Sequence, residues 1–248
     1  MISAPTQTTN RLPSLAVNMT PKTRWGIALL FPLVVGPVWC LAWNGHTGRL
    51  GTLAGLVLVG AILTAAVTDF RRHRIYNWTT YPAFLWAVGI NIVVYATTYG
   101  SESFLPSFAP AGIVGPQYLG GVGLGECLAG AAVCFLITLF GYDLSGGGAG
   151  DVKIATVIGA VLGLHNGIFA IAYSYVIAAI AIIAWSTYTN GPLALLKAGI
   201  RAIGNRLGPL WPFPSTSDDA ELLLKPVPLG PYFAIGTLLV LLELVPTT

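Results

Sequence analysis

Two carboxylates stand out in this chain. Asp69 ends an apolar run and opens Thr68-Asp69-Phe70-Arg71-Arg72-His73-Arg74-Ile75-Tyr76-Asn77-Trp78, and Asp151 closes Gly146-Gly147-Gly148-Ala149-Gly150 and leads into Val152-Lys153. Ionisable side chains set into apolar runs are costly, so each is a candidate for function. Two carboxylates held a few Å apart cannot easily both ionise. They share a proton, and the pair can then serve as general base and general acid on one water. Each residue also has a plainer reading. Asp69 fits a polar helix end beside a stop-transfer arginine cluster, and Asp151 fits a helix N-cap that satisfies free backbone N–H groups. Capping alone does not call for four glycines in the five positions before Asp151, which let the backbone bend sharply and another segment approach closely.

Other chemistry finds little support. A phosphate-binding loop needs Gly-Lys-Ser/Thr, but Asp151 and Val152 separate Gly150 from Lys153, and a dinucleotide G-x-G-x-x-G starting at Gly146 would need glycine where Asp151 stands. There is no G-x-S-x-G and no H-E-x-x-H, and His46, His73 and His165 are scattered, so neither a cofactor nor a metal is expected. Cys40, Cys127 and Cys134 lie in apolar runs without C-x-x-C spacing and read as buried filler. The net charge of +3 is too small to point to a nucleic-acid partner.

The elements that must position the aspartates are set by composition. Of 248 residues, 55% are hydrophobic and 8% charged, with a mean hydropathy of +0.75, whereas soluble domains are roughly a quarter charged. The chain therefore reads as an all-α polytopic membrane protein of six or seven transmembrane helices, with spans near 25–43, 52–68, 78–98, 122–141, 152–164, 168–188 and 230–247. Residues 1–24 read as a cytoplasmic N-terminal tail and 25–248 as one membrane-embedded domain, with a cytoplasmic connector at about 189–229. With the N-terminus inside, eleven of the twelve Lys and Arg residues fall on the cytoplasmic side and only Arg49 outside, which sets both aspartates at that face. The span 152–164 is short, about 20 Å of helix, so Asp151 is expected somewhat below the membrane surface. A break at His165-Asn166-Gly167 separates it from the next span, and basic residues at helical intervals over Leu195–Leu207 suit a helix lying in the headgroup layer.

Three blocks now carry a resemblance. Asp69 to Thr79, then Gly148-Ala149-Gly150-Asp151-Val152-Lys153, then Pro228-Leu229-Gly230-Pro231-Tyr232-Phe233-Ala234-Ile235-Gly236 resemble, in order, the signature blocks of type IV prepilin peptidases. The resemblance implies a G-x-G-D aspartyl endopeptidase of the cytoplasmic membrane that removes the basic leader peptide of prepilin-like precursors at the cytoplasmic face. Asp69 and Asp151 match the two catalytic positions, and Gly148, Gly150 and Lys153 belong to the supporting loop. The chain lacks the N-terminal cysteine-rich segment of the larger bifunctional members and looks more like the short, peptidase-only members of Flp/Tad pilus systems, without methyltransferase activity.

On this reading the partners are a prepilin-like substrate and membrane lipid. The leader stays inside while the pilin helix sits in the bilayer, so the scissile bond arrives where the aspartates lie. Asp151, at a helix N-terminus and near Lys153, is expected to ionise more readily than Asp69 at a helix C-terminus. Asp143, or Asp218, Asp219 and Glu221, are candidates for attracting the basic leader. The alternative is a multispan transporter or channel using intramembrane aspartates.

Overall fold

The computed structural model describes residues 21–42, 49–99, 116–145, 148–207 and 228–244, which are helical with no strand among them. In chain order the helices are α1 (Pro21–Ala42), α2 (Leu53–Arg72), α3 (Asn77–Tyr99), the short α4 (Pro116–Leu119), α5 (Leu124–Ser145), α6 (Ala149–Asn190), α7 (Pro192–Leu207) and α8 (Gly230–Leu241). Of these, α2, α3, α5 and α6 are long and apolar enough to cross a membrane, and shorter apolar helices run over Arg24–Cys40 and Gly230–Leu241. The expected N-terminal tail up to residue 20, most of the loop after Tyr99 and the acidic cluster at 218–221 lie outside the described residues.

Local chemistry sets the helix ends near the site. Thr52 caps α2, its hydroxyl accepting the Gly55 N–H at 3.1 Å. At the other end Arg71 and Arg72 occupy the last turn, where cations suit the carbonyl end of the dipole, and His73 stops the helix in the left-handed conformation. At the opposite end of the bundle the buried Asn91 of α3 accepts the Val122 and Gly123 N–H groups, both at 2.9 Å, and so fixes the entry to α5.

The long α6 is two helices in one run. Gly163 has φ +80° and ψ −177°, a conformation essentially closed to residues with a Cβ. A Cβ built on Gly167 would lie 2.9 Å from the Gly159 Cα, although residues eight apart in a straight helix are about 12 Å apart. The chain therefore folds back at Gly163, and the half after it lies against the half before it. Two spans were expected here, but the break falls at Gly163 rather than at His165-Asn166-Gly167, because the backbone reverses where only glycine fits. Glu126 of α5 secures the turn, its Oε2 accepting the Leu164 N–H at 3.1 Å at the start of the returning half.

The first half of α6 is the centre of the molecule. Ile154, Ala155, Ile158 and Ala160 are completely buried, and α5, α8, α3 and α2 pack around α6. Small residues make this possible: Gly130 of α5 and Gly159 approach backbone to backbone, leaving no room for a Cβ on either. Cys127 and Cys134 are free and buried in this core, as Cys40 is in α1.

The amphipathic helix expected over Leu195–Leu207 is present as α7, which exposes Leu193, Leu196 and Ile200 together with Lys197. The last apolar helix is shorter than expected. It ends at Leu241, with Glu243 at φ 53° in the turn that follows, rather than running on to 247.

Candidate active site

Asp69 and Asp151 come from separate helices and lie near each other at one end of the bundle. Asp69 sits one turn before the end of α2 and is 7% exposed. Asp151 lies in the first turn of α6 and is half-buried. The two carboxyl groups are within electrostatic range of each other.

Each carboxylate has its own backbone support. The Gly230 N–H, at the start of α8, donates to Asp69 Oδ2 at 2.8 Å across 161 residues of sequence. A Cβ on Gly230 would stand 2.8 Å from the Asp69 Cβ and 3.0 Å from its Oδ2, so only glycine lets α8 come this close without moving the carboxylate. The third sequence block thus acquires a physical role that its residue types alone do not announce.

Asp151 is not the N-cap. That position belongs to Gly148, and Asp151 stands three residues further on, with its own N–H bonded to the Gly148 carbonyl at 3.0 Å. Its carboxyl group turns back over Gly148 and accepts that residue's backbone N–H, as the third residue of a capping box does. A Cβ on Gly148 would face Asp151 Oδ2 at 3.1 Å, and a Cβ on Gly150 would lie 2.9 Å from the Ile75 Cβ. Ile75, from the segment joining α2 to α3, thus presses on the glycine loop. The close approach that the glycines suggested is to this segment, and it ties the two aspartate-bearing blocks together.

Lys153 reaches across to α3. Its ammonium donates to Asn77 Oδ1 at 2.8 Å and lies 5.9 Å from the centroid of the Tyr81 ring, so its charge ties the start of α6 to the start of α3. The reversal at Gly163 also returns Tyr175 to the level of Asp151, within electrostatic range of it, where its ring meets Phe233 of α8 edge-on at 5.7 Å. Asp143 is exposed near the end of α5. Glu126 and Glu243 lie at the other end of the bundle, one capping the α6 turn and the other following α8. Gly230, Ile75, Asn77 and Tyr175 are additions to the sequence reading. Three of them lie inside its blocks, and their roles depend on contacts between elements.

The arrangement defines a multi-pass membrane protein with a carboxylate pair carried by two packed helices. A sequence model of the type IV leader peptidase family matches residues 56–183. That match takes in both aspartates and just over half of the 248 residues, and the chain belongs to this family. No curated protein and no solved structure matches it significantly. The protein is accordingly a membrane peptidase.

Proposed function

We propose that the chain is an aspartic endopeptidase, without methyltransferase activity, that cuts the basic leader peptide from prepilin-like precursors at the cytoplasmic face of the inner membrane. Asp69 and Asp151 are its catalytic pair, with Gly148, Gly150 and Lys153 supporting them. The observation that carries the reading is the convergence of the two carboxyl groups from α2 and α6, with the Gly230 N–H on Asp69.

In the reaction the ionised member of the pair removes a proton from a water as it attacks the scissile carbonyl. The protonated member hydrogen-bonds the carbonyl oxygen and then helps to protonate the leaving amine. The two exchange roles by the end of the turnover, so no further proton donor is needed. The transporter alternative has no observation in its favour.

For the topology we propose seven crossings, counting the two halves of α6 separately, with the N-terminal tail and the connector at about 189–229 in the cytoplasm. The asymmetry of Lys and Arg supports this orientation. In it α7 lies in the headgroup layer with its exposed Leu193, Leu196 and Ile200 toward hydrocarbon, and Lys197, on the same stripe, snorkels up to phosphate.

The decisive experiment is cleavage of a prepilin-like precursor by the purified, detergent-solubilised protein and its Asp69→Asn and Asp151→Asn variants. Loss of cleavage in both, with thermal melting retained, is the expected result. Full cleavage by either variant removes the pair from the mechanism. Gly230→Ala gives a finer test: pushing Asp69 aside should lower the rate by about 100-fold, the scale on which misplacement of a reacting group is felt.

A further inference from the structure

Among the described residues five buried side-chain polar atoms lack a hydrogen-bond partner, on Trp78, Thr79, Thr80, Ser186 and Thr237, and two of them are neighbours that face one cavity. Trp78 Nε1 and Thr79 Oγ1, in the first turn of α3, are buried with no hydrogen-bond partner among the described residues. Thr79 is 6% exposed. A threonine inside a helix can return its hydroxyl to the carbonyl four residues earlier, as Thr64 does to Gly60 and Thr138 does to Cys134. Thr79 has no such carbonyl, because the residue four before it, Ile75, lies outside the helix. Unpaired donors in apolar surroundings bear the full cost of their lost hydration, which marks a place where something else supplies an acceptor.

Both residues line the same cavity. It has a volume of about 220 Å³ and lies between α1, α2 and α3, and its wall is otherwise mainly apolar, with Phe31, Val57, Ala83 and Trp86 among the lining residues. From Trp78 to Trp86 it follows α3 for eight residues, about 12 Å of helix. On the proposed topology the two donors, at the end of the α3 span, stand at the boundary between headgroups and hydrocarbon, and the rest of the cavity runs into the hydrocarbon layer. Beside it α1 and α3 turn Ile27, Leu30 and Leu85 outward, so the cavity adjoins an exposed apolar surface.

We propose that this cavity is a phospholipid site. One acyl chain lies between α1, α2 and α3, and its glycerol ester carbonyl accepts hydrogen bonds from the Trp78 indole N–H and the Thr79 hydroxyl. The chemistry of the lining selects this occupant. No Asp, Glu, Lys or Arg is among the lining residues, so a charged head such as a fatty-acid carboxylate would enter without a counterion, a costly step in low dielectric. A neutral ester brings only the acceptor that the two donors lack. The site is independent of the catalytic reading, because nothing in it touches Asp69 or Asp151.

Native mass spectrometry and thermal melts of the full chain, purified in detergent, test it, with dioleoylphosphatidylglycerol and oleate as added probes. The wild type should retain one phospholipid and melt higher when the phospholipid is added. Gly60→Leu extends a side chain into the cavity, where the nearest neighbour of a new Cβ is Phe31 Cε1 at 4.0 Å. This variant should fold and lose the retained lipid. Trp78→Phe combined with Thr79→Val keeps most of the volume and removes the donors, and it should weaken phospholipid binding by about tenfold. Equal retention by wild type and Gly60→Leu would overturn the site, as would undiminished binding by the double variant. Oleate binding as tightly as the phospholipid would overturn the ester assignment, and a wild type that holds no lipid would leave the donors to water and end the proposal.

Discussion

In the first half of α6, Ile154, Ala155, Ile158 and Ala160 have no exposed surface, whereas in the returning half Ile180, Ile183 and Trp185 are 56–66% exposed. The two halves are joined by a single residue, and the side chains just named are all apolar, yet one half is the centre of the protein and the other faces outward. Apolarity therefore says that a segment avoids water, and it does not say whether protein or lipid replaces the water. What marks the buried half is the contact its glycine allows, where the backbones of α5 and α6 touch at Gly130 and Gly159. The aspartate sits at the start of that half, so the rigid core of the molecule positions it.

The contrast can be probed by matched substitutions. The largest effect belongs to the head of the buried half: Asp151→Asn should lower cleavage by about 10³-fold or more, measured as kcat on a precursor peptide, while leaving melting intact. Further along, Ile158→Ala should cost about 2–5 kcal/mol in detergent unfolding, because a cavity opens where nothing can collapse into it. At the hinge, Gly163→Ala should cost about 1–3 kcal/mol, since alanine must be forced to φ +80°. Removing the cap on the returning half with Glu126→Ala should cost about 1 kcal/mol by the same measurement. Ile183→Ala, on the outward face, should stay within about 0.5 kcal/mol. A cost at Ile183 equal to that at Ile158 would mean that the returning half is covered by protein and would break the contrast.

Much of this was legible in the sequence. Runs near 52–68, 78–98 and 122–141 anticipate α2, α3 and α5 to within a few residues, because a long uncharged stretch has few alternatives to a helix. The doubling of α6 was also readable, although the hinge was placed two to four residues late. His165, Asn166 and Gly167 look like a break, but the reversal is decided by φ at Gly163, which composition does not encode. The candidate aspartates were identified as residues, and their surroundings were not. Asp151 reads as a cap in isolation, but the N-cap falls at Gly148 and leaves Asp151 three residues further in. Lys153 reads as a neighbour of Asp151, and only the packing of α3 shows that Asn77 takes its ammonium. The bond from Gly230 to Asp69 joins residues too far apart for any local pattern to connect.

That last bond has a consequence for how the protein is made. The donor to Asp69 follows it by 161 residues, so both aspartates are made before α8 can insert and dock against α2. Until that moment the nascent chain carries both aspartates without the support that fixes one of them. On the proposed mechanism, activity therefore waits for α8 to dock, whenever in assembly that happens.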